Sequence, residues 1–251
     1  MDLRAEITKR SIKKKKKYSL TRGKIIGDRV LELGCSAAGL SRLLLKGKWV
    51  GLDLDEKVVR EYHRYLGTPA VVAREKLPFR NNSFSTVLMF DFLEHVEEDR
   101  ELFSEAVRVL RSDGRLIITT PRAGKLFMIK FRNFIGLKKE AYGHKREGYT
   151  VEELKTMAEG EGLKIEEVRL YSGFFLEFLE ALQNWVYFKM SKVKRDRRSG
   201  SISPVEEDEF KKMKKLLFFY RLAYPFFLAA DFLDRILGTK KHVIFLMGRK
   251  P

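Results

Sequence analysis

VLELGCSAAGLSRLLLKGKWVGLDLD, residues 30–55, is the stretch whose reading decides the fold. It begins as an apolar strand and turns on Gly34, Cys35, Ser36 and Ala37. It then crosses a short amphipathic run and enters a second apolar strand closed by Asp53 and Asp55. A strand that ends in small residues and feeds a helix lets a ligand approach the backbone, with helix-terminal amides aimed at it. An acid closing the next strand can accept both hydroxyls of a ribose. Gly34 and Asp53 have this layout, which suits a nucleoside. A rival reading makes Asp53 a cap for the helix DEKVVREYHRYL, although Asp55 is equally able to cap it. Dinucleotide dehydrogenases share the layout, but the run Gly-x-Gly-x-x-Gly is missing here.

Outward from this unit, strands and helices alternate. RVLELGC, KWVGLDL, PAVVA, FSTVLMF and GRLIITT read as strands, and DRELFSEAVRVLRS has a helical pattern. Such alternation predicts a doubly wound α/β fold around a mostly parallel sheet. GKLFMIKFRNFIGL reads as a helix and KKEAYGHKREGY as a loop. Thr150 and Glu153 form a capping-box pair ahead of the next helix. LKIEEVRL and HVIFLMGRK bring the strands to seven. The expected organisation is a basic arm over residues 1–25 and one Rossmann-like domain over 26–251. An aromatic-rich helical cap at about 172–238 precedes a final strand at 241–249.

Composition narrows the class. The chain has 251 residues, 44% of them hydrophobic, which is enough to bury a core. Lys and Arg number 51 against 34 Asp and Glu, a formal charge of +17 that favours anionic partners. One Gln, four Asn and 34% charged residues also suit a heat-adapted proteome. The single cysteine, Cys35, excludes an internal disulfide and a Cys-rich metal site, and no metal is expected. The start MDLRAEITKRSIKKKKKYSL has no apolar core of a signal peptide. The apolar run 216–237 is interrupted by Arg221, Pro225, Asp231 and Asp234, so it is not a spanning helix. A cytoplasmic protein is expected, with a peripheral membrane position open.

Four ordered blocks carry a resemblance. VLELGCSAAGLS, VGLDLDEKVV, LPFRNNSFSTVLMFDFLEHV and AVRVLRSDGRLIITTPR, together spanning about residues 28–125, resemble class I S-adenosylmethionine-dependent methyltransferases, especially the quinone-biosynthesis (type 11) group. The resemblance implies S-adenosylmethionine as cofactor and a binding set of Glu32, Gly34, Cys35, Ser36, Gly39, Asp53, Leu54, Glu75, Asp91 and Phe92. Glu32 would hold the methionine ammonium and Asp53 the ribose. Leu54 would pack on the adenine, and Asp91 and Phe92 would line the sulfonium and acceptor pocket. Three departures stand out. Ser36 and Ala38 take two of the usual turn glycines. Ala73 replaces an acid before the LPF leucine, leaving Glu75 or a backbone carbonyl for the adenine amino group. Ser85 stands where an Asp usually follows Phe84.

Methyl transfer mainly needs acceptor and methyl held in near-attack geometry, with a base only for an acceptor that must lose a proton. Asp91, His95 and His144 are the catalytic candidates, with Tyr149 near the expected mouth. His95 also reads as a residue packed behind the site, His144 as a solvated loop histidine, and Cys35 as packing rather than a nucleophile. Aromatics crowd Phe174–Met190 and 216–237 beyond the needs of one core-facing stripe. They fit a helical cap, a homodimer surface, a small or lipid-like acceptor pocket, or a pair of helices on an anionic membrane. Polybasic runs at Lys13–Lys17 and Lys192–Arg198 would suit nucleic acid, but no RNA-binding module accompanies them. A non-catalytic membrane- or RNA-binding protein on this scaffold is the alternative function.

Overall fold

The computed structural model describes residues 11–35, 44, 48–73, 76–124, 127–190 and 214–251. The basic run at 192–198 lies outside these, as do Ser36, Ala38, Gly39 and Glu75, and the side chains expected at 187, 188 and 218–220 are outside the description too. The elements in chain order are α1 (Ile12–Thr21), β1 (Arg29–Leu33), β2 (Lys48–Asp53), α2 (Glu56–Leu66), β3 (Ala70–Val72), β4 (Phe84–Phe90) and α3 (Asp99–Val109). They continue with β5 (Leu110–Pro121), α4 (Phe127–Phe134), α5 (Val151–Gly160), β6 (Lys164–Tyr171), α6 (Phe174–Met190), α7 (Lys214–Ile236) and β7 (Val243–Arg249).

The seven strands form one sheet in the order β3-β2-β1-β4-β5-β7-β6. Strands β1 to β5 pair in parallel, and β7 runs antiparallel to both β5 and β6. This is the mostly parallel Rossmann-like sheet expected from the alternation. Its order reverses between β1 and β4, the switch point where such sheets leave a crevice beyond their carboxyl ends. Phe84–Phe90 is buried along its whole length, as a central strand covered on both faces must be. Leu31, Leu33, Met89, Leu116 and Ile118 join Phe103 and Ala106 of α3 in the main core.

Ser85, the departure noted after Phe84, has a structural use. Its hydroxyl donates to the Arg29 carbonyl at 2.7 Å and accepts the Arg29 N–H at 3.2 Å. Thr86 makes the same reciprocal pair with Ile26. Two small hydroxyls thus tie the approach to β1 onto β4.

The helices start where the caps dictate. Asp55, not Asp53, caps α2, accepting the Lys57 N–H at 2.8 Å. The Thr150–Glu153 capping box closes at both ends, at 3.1 and 2.6 Å. The start of α6 is capped from a distance. The Asp234 carboxylate on α7 accepts the N–H groups of Phe175 and Leu176 at 2.9 and 3.0 Å. Gly173 permits that approach, since a Cβ there would lie 2.3 Å from Asp234 Cγ. Among the described residues no helix is long and apolar enough to cross a membrane.

Helix α1, within the expected basic arm, is tied to the rest of the chain by its lysines. Lys13 reaches Glu177 and Glu180 of α6 at 2.9 and 3.4 Å, Lys16 pairs with Asp231 of α7, and Lys15 donates to Tyr224 Oη at 2.7 Å. Ile12 packs with Leu176 and Phe227 beneath the two C-terminal helices. Lysines 13, 15 and 16 therefore have acceptors within the chain.

Replacing Thr150 by Ala removes one donor–acceptor pair from the start of α5. A loss of about 1 kcal/mol is expected, seen as a Tm about 2–4 °C lower for a chain of this size. Thr150→Ser should restore most of it. Equal Tm values for Thr150→Ala and the parent would show that the capping box carries no stability.

Candidate active site

The carboxyl ends of β1, β2, β4 and β5 meet at the switch point and carry Gly34, Asp53, Asp91 and Pro121 or their neighbours. Gly34 has φ +73°, and a Cβ on it would lie 2.4 Å from the Phe92 ring. Both its backbone conformation and the ring above it require glycine. The N–H groups of Gly34 and Cys35 donate to the Leu52 carbonyl at 2.8 and 3.0 Å, which holds the bend against β2.

Two carboxylates flank that bend. Glu32 is buried and accepts the Tyr62 hydroxyl at 3.1 Å, so α2 fixes its orientation. Asp53 is 8% exposed at the end of β2, and its Oδ1 accepts the Asp55 N–H at 3.2 Å. Leu54 is half-buried against the main core. Burial, then the nearby Asp53 and Glu32 charges, push the Cys35 thiol well above its ordinary range. It is a buried packing residue and no nucleophile. Ala73 is half-buried, with its N–H on the Asp53 carbonyl at 3.3 Å.

Beyond β4 the chain turns sharply. Asp91 has φ +49°, an uncommon conformation for a non-glycine residue. It is held by its N–H on the Thr119 carbonyl at 2.7 Å and by the Thr119 hydroxyl on its Oδ1 at 3.0 Å. Lys17 of α1 completes the grip, its ammonium 2.5 Å from Asp91 Oδ2 and over the Phe90 ring. Burial pushes the Asp91 carboxyl up, but Lys17 and Lys13 more than offset this, and it stays below the ordinary carboxylate range.

Next to Asp91 lies a Glu–His–His cluster. Glu94 is fully buried, with Oε2 accepting the Thr120 hydroxyl at 3.0 Å and Oε1 without a hydrogen-bond partner among the described residues. Burial, then the Asp91 charge, push its carboxyl up to about 8. His95 Nδ1 lies 3.2 Å from the Gly143 carbonyl. A carbonyl only accepts, so Nδ1 carries the proton and Nε2 keeps the lone pair. The His144 ring meets that of His95 edge-on at 4.6 Å, and burial, then His95, lower its pKa to about 3. Ligand atoms of Glu94, His95 and His144 lie within 4.8 Å of one another, a grouping that could hold a metal ion. For bonds of about 2.1 Å the three would have to draw together.

Asp91, Phe92, His95 and His144 thus come together, and so do Glu32, Gly34, Cys35 and Asp53. Tyr149 does not join them. It is fully buried and donates to Asp99 at 2.6 Å beneath the Arg146 guanidinium, a packing role that removes it from the mouth. Lys17, Tyr62 and Glu94 were missed as site residues. Glu94 stood in the LEH block beside His95, so its block pointed to it. Nothing in a run of lysines singles out Lys17.

Residues 31–118 match the family model described as a methyltransferase domain. Over 110 residues the chain is 34% identical to phthiotriol/phenolphthiotriol dimycocerosates methyltransferase 1 of Mycobacterium ulcerans, covering 41% of each chain. The aligned part spans about two fifths of the length of the curated relatives it matches. A crystal structure of a methyltransferase from Bacillus halodurans C-125 superposes with a TM-score of 0.57 at 20% identity, covering 94% of this chain and 98% of that one. Phosphoethanolamine N-methyltransferase 2 of Haemonchus contortus, solved with S-adenosyl-L-methionine, gives 0.54 at 18%, covering 92% and 51%. These two show the shared fold. Residues 31–118 are thus similar to a methyltransferase domain, and the chain as a whole shares the fold of these solved structures.

The buried Glu94 carries a pH signature. Its folded pKa of about 8 lies above the ordinary 4.5, so the folded chain binds more protons between those values. Stability therefore falls as pH rises through that window and levels off above it. Glu94→Gln should remove this fall, so thermal melts of parent and variant should diverge from pH 5 to pH 8. Parallel Tm curves would show Glu94 to be ordinarily ionised.

Proposed function

We propose that this chain transfers the methyl group of S-adenosylmethionine to a small or lipid-like acceptor at the switch-point crevice. The observation that carries the reading is the pair of carboxylates, Glu32 and Asp53, beside the bend at Gly34. Acceptor-only groups there suit a ribose and an ammonium, so the described residues fit the cofactor. Asp53 is the ribose ligand, freed from capping α2 by Asp55. Glu32, oriented by Tyr62, is the ammonium ligand, directly or through water. Leu54 packs on the adenine, and Cys35 adds backbone and shape. Ser36, Gly39 and Glu75 complete the set from residues outside those described.

Bound there, the cofactor would supply an already activated methyl on a sulfonium. What remains for the protein is placement. Phe92 over Gly34 and Asp91 in its strained turn wall the acceptor side, and the Lys17 and Thr119 contacts keep the carboxylate of Asp91 ionised and still. An acceptor hydroxyl would have to give up a proton, and His95 Nε2 offers a lone pair for it. His144, with a pKa of about 3, is unprotonated at neutral pH but a weak proton acceptor. Its role is to orient the acceptor. The lipid-like class draws support from the name of the mycobacterial relative and from the apolar C-terminal helices.

Calorimetry with S-adenosylmethionine and S-adenosylhomocysteine tests the reading. Binding is expected, with Asp53→Ala weakening it about tenfold to a hundredfold, the worth of charge-assisted hydrogen bonds. Absence of binding by the intact chain would remove the assignment. Incubating extract with a deuterated-methyl donor and reading masses would then identify the acceptor.

A further inference from the structure

The C-terminal helices have their polarity turned inside out. On α7 the residues facing the protein include Asp231 and Asp234, along with Phe227 and Ala230. The outward positions from Arg221 to Leu237 are mostly apolar, with Leu222, Leu228, Leu233 and Ile236 exposed, Phe226 67% and Phe232 62%. On α6 the acids Glu177 and Glu180 turn inward to Lys13, while Leu182, Trp185 and Val186 are exposed. On α4, which packs beside α6 through Phe131 and Phe178, Phe127 is 62% and Phe134 88% exposed. A surface helix normally shows the reverse arrangement, and a monomer rarely leaves so much contiguous apolar surface in water.

The charges on this face have one sign. Among the described exposed residues of α4, α6 and α7 the charged ones are Lys130, Lys189, Arg221 and Arg235, and no acid stands with them. Arg235 also reaches inward to Asp231 at 2.7 Å. Every described acid of α6 and α7 is directed to the interior, to a lysine, an arginine or a backbone N–H. We infer that the apolar, cation-studded outer face of α7, with the neighbouring faces of α6 and α4, docks on an anionic phospholipid bilayer. Aromatic and aliphatic side chains between basic ones suit the boundary between headgroups and acyl chains, and each lysine or arginine near an anionic leaflet adds attraction. A second copy of this chain is the poorer occupant. The face carries no acid for a partner's basic residues, and both copies would bring a net charge of +17. Residues 191–213, which join α6 to α7, include only Val193, Ile202, Val205, Phe210 and Met213 as large apolar residues, too few to cover the face. The inference stands independently of the methyl-transfer reading.

The test is co-sedimentation of the full chain with phosphatidylcholine vesicles, with and without phosphatidylglycerol. Binding should need the anionic lipid and weaken as salt rises. The exposed double substitution Phe226→Glu with Phe232→Glu should reduce it about tenfold or more, with circular dichroism and Tm unchanged. Phe226→Ser is the milder companion should the double variant fold poorly. Calorimetric binding of S-adenosylmethionine should be the same in the variants, which separates this result from the cofactor assignment. No vesicle binding, or binding that the substitutions leave intact, would overturn the inference. So would a dimer in sedimentation velocity that Phe226→Ser dissociates, since that would assign the face to a second copy.

Discussion

Five consecutive lysines cannot hold a helix by themselves. Like charges at i and i+4 repel, and ten residues are too few for a stable isolated helix in water. Helix α1 exists because acids from elsewhere meet its ammonium groups: Glu177 and Glu180 from α6, Asp231 from α7 and Asp91 from the end of β4. Of these, the Lys17–Asp91 pair bears most directly on the site. It fastens the first described helix to the residue that follows β4 at the crevice. Lys17 is buried in this pair, so removing Asp91 would leave its ammonium without the charge that meets it.

The same inward turn of charge shapes the site and the surface together. Lys13 lies between Glu177 and Glu180 on one side and the field of Asp91 on the other, and its ammonium is raised above its ordinary range although burial opposes this. Lys14, without such close acids, is lowered to about 8 by burial and by Lys17. One run of identical residues thus contains very different proton affinities, set by what faces each one. The acids drawn inward to serve these lysines are the acids missing from the outer faces of α6 and α7.

Much of the fold was legible in the sequence because its signals are local. FSTVLMF is a seven-residue run without a charge, five of its residues apolar, and forms β4 with the same bounds. Thr150 and Glu153 announced their helix start through spacing alone. The bend at Gly34 followed from small residues after an apolar strand, and the structure adds the Phe92 ring as a second reason for glycine. What was not legible depends on partners remote in sequence. Lys17 meets Asp91 across 74 positions, and a lysine run reads as solvated when its acids are not yet placed. Tyr149 was read as lining the mouth because its loop was. Its hydroxyl instead meets Asp99, 50 positions earlier. Even the ambiguity between Asp53 and Asp55 was local in form but settled only by which carboxylate meets the Lys57 amide.

The cap that Asp234 places on α6 has a consequence for the order of synthesis. A growing chain exposes the amides of Phe175 and Leu176 long before the carboxylate that satisfies them, which emerges 59 and 58 residues later. Lys16 of α1 waits longer still for Asp231. Contacts so distant along the chain are slow to form, so the parallel strands β1 to β5 can pair while α1 and α6 are still without their closing partners, and β6 waits with them for β7. The first described helix to leave the ribosome is in this protein one of the last to find its seat.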